Sequence, residues 1–176
     1  MRRNLLLLVI AVLLGLGAHY LYNAQPPAPP APAPQASAYP MAPDFSYTQL
    51  DGKLGQLSSH RGKIVLLNFW ASWCAPCKVE FPQFITLAGQ REDVVILAVS
   101  VDHNAQAMQR FLDEYGRLPN NFIIAHDPKK AIALDLFQTL RYPETILIGP
   151  DGSLRRKFVG LEVKWDDPDF ISSLAP

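Results

Sequence analysis

The stretch Ile64–Phe84 reads IVLLNFWASWCAPCKVEFPQF and contains a strand, a turn and the opening of a helix, in that order. Ile64–Trp70 is apolar apart from Asn68 and does not alternate. That is the pattern of a strand buried on both faces, too short to be a helix of its own. The small residues Ala71 and Ser72 make the turn. Counting from Cys77, apolar side chains recur at Phe81, Phe84, Ile85 and Ala88, offsets of 4, 7, 8 and 11 that share one helix face. Cys74 then falls at the helix start, where unpaired N–H groups and the macrodipole favour an anion. Cys77 lies one turn in, at the head of the buried stripe. One open and one covered sulfur are expected. A dithiol needs that arrangement if one thiolate attacks a foreign disulfide and the other resolves the mixed disulfide.

A structural disulfide and half of a zinc site are the competing readings of the same pair. Zinc normally takes four protein ligands, and the chain has 2 Cys. His19 lies in an apolar N-terminal segment, and His60, His103 and His126 are scattered without ligand spacing. Haem attachment requires His directly after the second Cys, where this chain has Lys78. Two Cys so closely spaced brace little of a fold. Redox chemistry is the reading that fits, with no metal set and no cofactor motif in view.

Working outward, the N-terminus is different in kind. Arg2 and Arg3 precede an unbroken apolar run, Leu5–Ala18, which His19-Tyr20-Leu21-Tyr22 extends towards an interface. The run suits a short membrane span or a signal h-region. No good cleavage site follows, and the aromatic pair Tyr20 and Tyr22 belongs at a membrane edge, so residues 1–22 are expected to be an uncleaved single-pass anchor. The two arginines orient everything after Tyr22 away from the cytoplasm. Residues 23–43 form a Pro/Ala-rich linker: Pro26–Pro43 holds 8 of the 16 prolines. Such a segment is an extended, semi-rigid spacer that holds a domain clear of a surface.

Residues 44–176 are expected to be the globular domain. Without Arg2 and Arg3 the 16 basic residues become 14 against 16 acidic ones, a net of −2, since no acid precedes Asp44. No basic run appears, which argues against a nucleic-acid partner. Asp51-Gly52 between Phe45–Leu50 and Leu54–Leu57 is a hairpin signal. Val94–Val101 reads as a second buried strand. Asn104 caps a helix with Ala105, Met108, Phe111, Leu112 and Tyr115 on one face. A short strand, Phe122–Ala125, follows. Asp127-Pro128 is a cap and first-turn proline opening a helix over Lys129–Phe137. Thr145–Gly149 and Leu154–Val159 form a hairpin about Pro150–Ser153, and Asp167-Pro168 opens a last helix. Alternating strands and helices closed by a hairpin give an α/β sandwich with a mixed sheet.

The run LLNFWASWCAPCKVEFP resembles the active-site region of thioredoxin-fold proteins. Within them it is most similar to the membrane-anchored, extracytoplasmic TlpA/ResA/CcmG-type thiol–disulfide oxidoreductases, several of which serve cytochrome c maturation. The likeness runs from about Ala42 to about Gly160. It is most specific at Trp73-Cys74-Ala75-Pro76-Cys77 and at Tyr142-Pro143-Glu144-Thr145, followed by Ile146–Gly149. It implies a thioredoxin-like three-layer sandwich. The helix Asn104–Tyr115 and strand Phe122–Ala125 look like the central insertion that sets this branch apart from plain thioredoxin.

Pro82 falls inside the redox helix, where it removes a hydrogen bond and kinks the axis, and relatives carry a proline there too. The resemblance implies a cis bond at Tyr142-Pro143, opposite the cysteines, beside which an extended substrate segment can pair in the β-augmentation manner. Tyr142 is bulkier than the residues common before this proline in relatives and narrows that groove. Trp70 belongs to the core. Trp73, at the open helix start, belongs to the substrate surface. Asn68 stands where cytoplasmic thioredoxins carry a buried, proton-moving Asp. Asparagine does not titrate near neutrality, so it reads as a hydrogen-bonding structural residue. Glu80, one turn past Cys77, matches a carboxylate of the CKxEFP pattern; it either serves the thiols or is an ordinary solvated helix glutamate.

These readings make Cys74 the attacking thiol, Cys77 the resolving thiol and Glu80 their helper, with Trp73, Tyr142 and Pro143 facing substrate. The expected function is that of a protein-disulfide reductase anchored in the inner (cytoplasmic) membrane with its catalytic domain in the periplasm. The resemblance offers the CxxCH disulfide of apocytochrome c as substrate. Lacking a cofactor, the chain needs a transmembrane dithiol donor of the CcdA/DsbD kind. The rivals are an oxidant or isomerase on the same fold and an apocytochrome-docking module with little redox activity. Oxidants of this fold often place His between the cysteines, and Ala75-Pro76 offers no such contact.

Overall fold

A computed structural model describes residues 13–17, 19–20 and 39–174. Residues 13–17 and 19–20 are helical and exposed. Most of the expected anchor and linker lies outside the described residues, and among those described no helix is long and apolar enough to cross a membrane. The folded domain is the unit that begins at Ser37.

Its first elements are a hairpin, β1 (Ser46–Thr48) and β2 (Leu54–Gln56), turning through Gly52 at φ 82°. The chain then supplies β3 (Ile64–Trp70), α1 (Ala75–Gln90), β4 (Val94–Ser100), α2 (Ala105–Leu112), β5 (Phe122–His126), a π-helical turn (Ala131–Leu136), β6 (Glu144–Ile148), β7 (Leu154–Val159) and α3 (Pro168–Ser173). The five-stranded sheet runs β5-β4-β3-β6-β7, with β3 parallel to β4 and antiparallel to β6. Every residue of β3 and β4 is buried, as expected of central strands covered on both faces. Segment Pro40–Pro43 is already docked on the β6–β7 turn: Ala42 N–H donates to Gly152 O and Leu154 N–H to Pro40 O.

Successive β3 residues point to opposite faces, and its two aromatic residues show both. Trp70 packs on Phe81 of α1 and Phe111 of α2, with ring centroids 5.1 Å apart in each pair. Phe69 meets Phe137 at 5.6 Å, and Phe137 meets Phe45 at 5.7 Å. Three layers result. Asn68 lies opposite Thr145 and donates from Nδ2 to Thr145 Oγ1 at 3.0 Å, which satisfies the one polar side chain of β3. At the far end of α1, Arg91 donates to the carbonyls of Ile171 and Leu174 and fastens the C-terminal helix to the redox helix.

Two expectations need correcting here. The helix read over Lys129–Phe137 starts only at Ala131, and it is π-helical. Pro128 is not its first residue, because Lys130 turns left-handed at φ 59° between cap and helix. Asp127 reaches across that turn to accept from the N–H groups of Ala131, Ile132 and Ala133. The buried stripe of α1 includes Leu87 and Glu80, whereas Ile85 is half-buried. A carboxyl in an apolar stripe is not a pattern that periodicity finds.

Candidate active site

β3 delivers its C-terminal end to the turn Ala71–Cys74, closed by a hydrogen bond from Cys74 N–H to Ala71 O at 3.1 Å. Cys74 is the N-cap of α1, with extended backbone at φ −84° and ψ 105°. A disulfide joins Cys74 and Cys77, whose Cα atoms are 5.3 Å apart.

The expected open and covered sulfurs are not found. In the oxidised protein Cys74 is 5% exposed and Cys77 3%, so both are covered. Their difference is electronic. Cys77 N–H points at Cys74 Sγ at 3.3 Å, one of the unpaired donors of the helix start. A thiolate at Cys74 keeps that donor and the positive end of the helix, whereas Cys77 lies inside the first turn. In the reduced protein, iodoacetamide near neutral pH should therefore label Cys74 at least about tenfold faster than Cys77. Peptide mapping of a brief pulse reads this directly, and equal labelling, or faster labelling of Cys77, would overturn the assignment of the nucleophile.

Trp73 is 62% exposed and meets the half-buried Tyr142 edge to face, with ring centroids 6.1 Å apart and planes at 78°. The pair spans the gap between the cysteine turn and the cis bond at Tyr142-Pro143. The Tyr142 phenol is pushed up, first by burial and then by the charges of Asp127 and Glu144. The Pro143 carbonyl already accepts from Gly160 N–H at 2.8 Å. Any strand-like pairing at this edge must use the groups that precede it.

Glu80 is not a solvated helix residue. It is 1% exposed, takes one hydrogen bond at Oε1 from Trp165 Nε1 at 3.0 Å, and has no partner at Oε2. Burial pushes its carboxyl up to about 7, the Trp165 hydrogen bond opposing only in part. Trp165 is itself held: its N–H donates to Gln83 Oε1 at 2.9 Å, and its ring stacks on Phe84 at 4.7 Å. An acid half-ionised near neutrality therefore lies one helical turn past Cys77.

Two groups near the site have no role in the reading of the sequence. Glu144, directly after the cis proline, accepts from the Thr139 hydroxyl and pairs with Lys157 Nζ at 2.8 Å, pinning the loop into β6. Asp102, beyond β4, accepts from the backbone and hydroxyl of Ser72 at 2.8 and 2.7 Å. Only a pairing of β3 with β4 reveals that Asp102 lies beside the cysteine turn. Among the described residues no group of three or more His, Cys, Asp or Glu is placed to hold a metal ion.

The chain is similar to known proteins over most of its length. Residues 40–157 match the AhpC/TSA family. The chain is 34% identical over 140 residues to the thiol-disulfide oxidoreductase ResA of Bacillus subtilis, covering 77% of this chain and 74% of that protein. It is 35% identical over 141 residues to the ResA of Oceanobacillus iheyensis, covering 77% and 71%. Among solved structures, a thiol:disulfide interchange protein of the DsbE kind from Chlorobium tepidum superposes with a TM-score of 0.64 at 28% identity, covering 80% of this chain and 94% of that one.

Proposed function

The chain belongs to the AhpC/TSA family and is a thioredoxin-fold thiol–disulfide oxidoreductase of the ResA and DsbE type, and from that premise we propose that it reduces protein disulfides outside the cytoplasm. Cys74 attacks a sulfur of the substrate disulfide, forming a mixed disulfide and expelling the second substrate sulfur as a thiolate. Cys77 then attacks Cys74 Sγ, which releases the reduced substrate and leaves the Cys74–Cys77 disulfide. Two electrons pass from the dithiol to the substrate. An outside dithiol, for which a transmembrane carrier of the CcdA/DsbD kind is the natural candidate, returns the pair to its reduced form. The CxxCH motif of apocytochrome c is the substrate we favour. Trp73, Tyr142 and Pro143 form the surface against which it lies.

The observation that carries this reading is the protonatable carboxyl of Glu80 one turn from Cys77, in a site with no polar group between the cysteines. Attack by Cys77 requires its proton to leave, and an acid poised near the working pH can take it. Ala75 and Pro76 give the Cys74 thiolate nothing beyond the helix start, so the dithiol is only modestly favoured over the disulfide. Its potential should lie nearer thioredoxin, about −270 mV, than DsbA, about −120 mV. Equilibration with glutathione or dithiothreitol buffers measures it. A value above about −170 mV makes the chain an oxidant, and failure to reduce insulin with dithiothreitol makes it a docking module.

Membrane attachment through residues 1–22 completes the proposal. The full chain should sediment with membranes and resist carbonate extraction, and a chain starting at Ser37 should stay soluble and redox-active. A soluble, shortened product from the full-length gene would mean that Leu5–Ala18 is a removed signal.

A further inference from the structure

Asp102 is 1% exposed, and its carboxylate is surrounded by neutral donors. Ser72 N–H and Ser100 Oγ donate to Oδ2, both at 2.8 Å, and Ser72 Oγ donates to Oδ1 at 2.7 Å. Its own N–H donates to Ser100 Oγ at 3.1 Å, and its carbonyl meets His126 Nε2 at 2.7 Å. None of the ion pairs among the described residues includes it. Neighbouring backbone bonds fix its place, with Val101 N–H donating to Trp70 O and Cys74 N–H to Ala71 O. A single turn, Ala71–Cys74, therefore separates the carboxylate from the N-cap cysteine. Two residues of chain, Ser72 to Cys74, span at most about 7 Å between Cα atoms.

We propose that Asp102 is a positioning residue that acts electrostatically as well as sterically. Its carboxylate fixes the turn ahead of Cys74, and its unpaired charge holds down the thiolate fraction of that cysteine. The helix start favours the anion and Asp102 opposes it, through a buried region where charges are weakly screened. A less favoured thiolate makes the dithiol a stronger reductant. The inference thus rests on the proposed reductase reading and on Cys74 as its nucleophile. Other ionisable groups also stand around the site. On α1, Lys78 lies over Phe111 and Glu80 is turned to Trp165. His103 follows Asp102 in the chain, and β5 brings His126. The loop into β6 brings Tyr142, and β6 opens with Glu144, already paired with Lys157.

The test uses the reduced full chain, its alkylation by iodoacetamide followed from about pH 5 to about pH 10 with mapping of the labelled cysteine. Asp102→Asn keeps the shape and an acceptor for Ser72 N–H while removing the charge. Its Cys74 profile should move down by about one pH unit, about tenfold more thiolate below the midpoint. Above both midpoints its glutathione equilibrium should shift about tenfold, or about 30 mV, towards the oxidant side. An unchanged or raised midpoint overturns the proposal. Ser72→Ala keeps the charge and removes one hydroxyl that disperses it, so its midpoint should rise. A fall there would make loosening of the turn the cause, and no change would show that the charge is not felt; either result overturns the proposal even if Asp102→Asn does not fold. Label on Cys77 instead would refute the assignment of nucleophile, which is a separate failure.

Discussion

Replacing Cys77 with Ser should leave a protein that attacks once and stops. Cys74 still sits at the N-cap with the N–H of residue 77 aimed at its sulfur, so the first exchange proceeds. The serine hydroxyl cannot resolve the product, because it is far less nucleophilic than a thiolate near neutrality. Turnover should fall by about a thousandfold or more, while a covalent adduct accumulates on Cys74. Cys74→Ser should lose turnover to the same degree and accumulate nothing. The two variants therefore differ in adduct formation, visible on a non-reducing gel and lost on adding dithiothreitol. An adduct with Cys74→Ser and none with Cys77→Ser would exchange the roles of the two sulfurs. Adducts recovered from cells also identify the substrate.

Glu80→Gln should stabilise the oxidised protein and slow it. The carboxyl titrates near 4.5 when unfolded and at about 7 when folded. Between those values the folded chain holds a proton that the unfolded chain has released. Stability is then full at low pH, falls as pH rises from about 4.5 to about 7, and stays low above that. The gap corresponds to about 3 kcal/mol at most. Glutamine is neutral throughout and still accepts from Trp165 Nε1. The variant should match the parent in urea at about pH 4.5 and exceed it by about 2–3 kcal/mol at about pH 8. Exchange should slow by about tenfold or more, with loss of the ionisation near pH 7 from its rate profile. Equal stability at both pH values would mean that the carboxyl is hydrated in solution, and the proton role would fall with it.

The contrast between Cys74 and Glu80 shows how far the sequence can be read. Strand, turn and helix around the cysteines follow from local pattern, and Asn104 and Asp167 cap α2 and α3 where their side chains indicate. The cis bond at Pro143 is not a local signal; only resemblance points to it. The burial of Glu80 involves a residue far along the chain. Trp165, which touches Glu80, lies 85 positions away and carries no local mark of that contact. Asp102 is hidden for the same reason, its partner Ser72 being 30 positions back. The π-helical turn escapes because a proline after an aspartate is the usual opening of an α-helix, and nothing local marks Lys130 as left-handed.

The contact between Trp165 and Glu80 also bears on when the protein becomes competent. A chain emerging during synthesis presents both cysteines and Glu80 long before the indole that covers the carboxyl. Until that late segment arrives, Glu80 is bathed in water and behaves as an everyday surface acid, ionised at neutral pH. The buried setting of Glu80 is thus assembled last, together with the Arg91 clasp on Ile171 and Leu174. A nascent or C-terminally shortened chain can present both cysteines and still lack the buried, indole-bonded carboxyl of the folded protein.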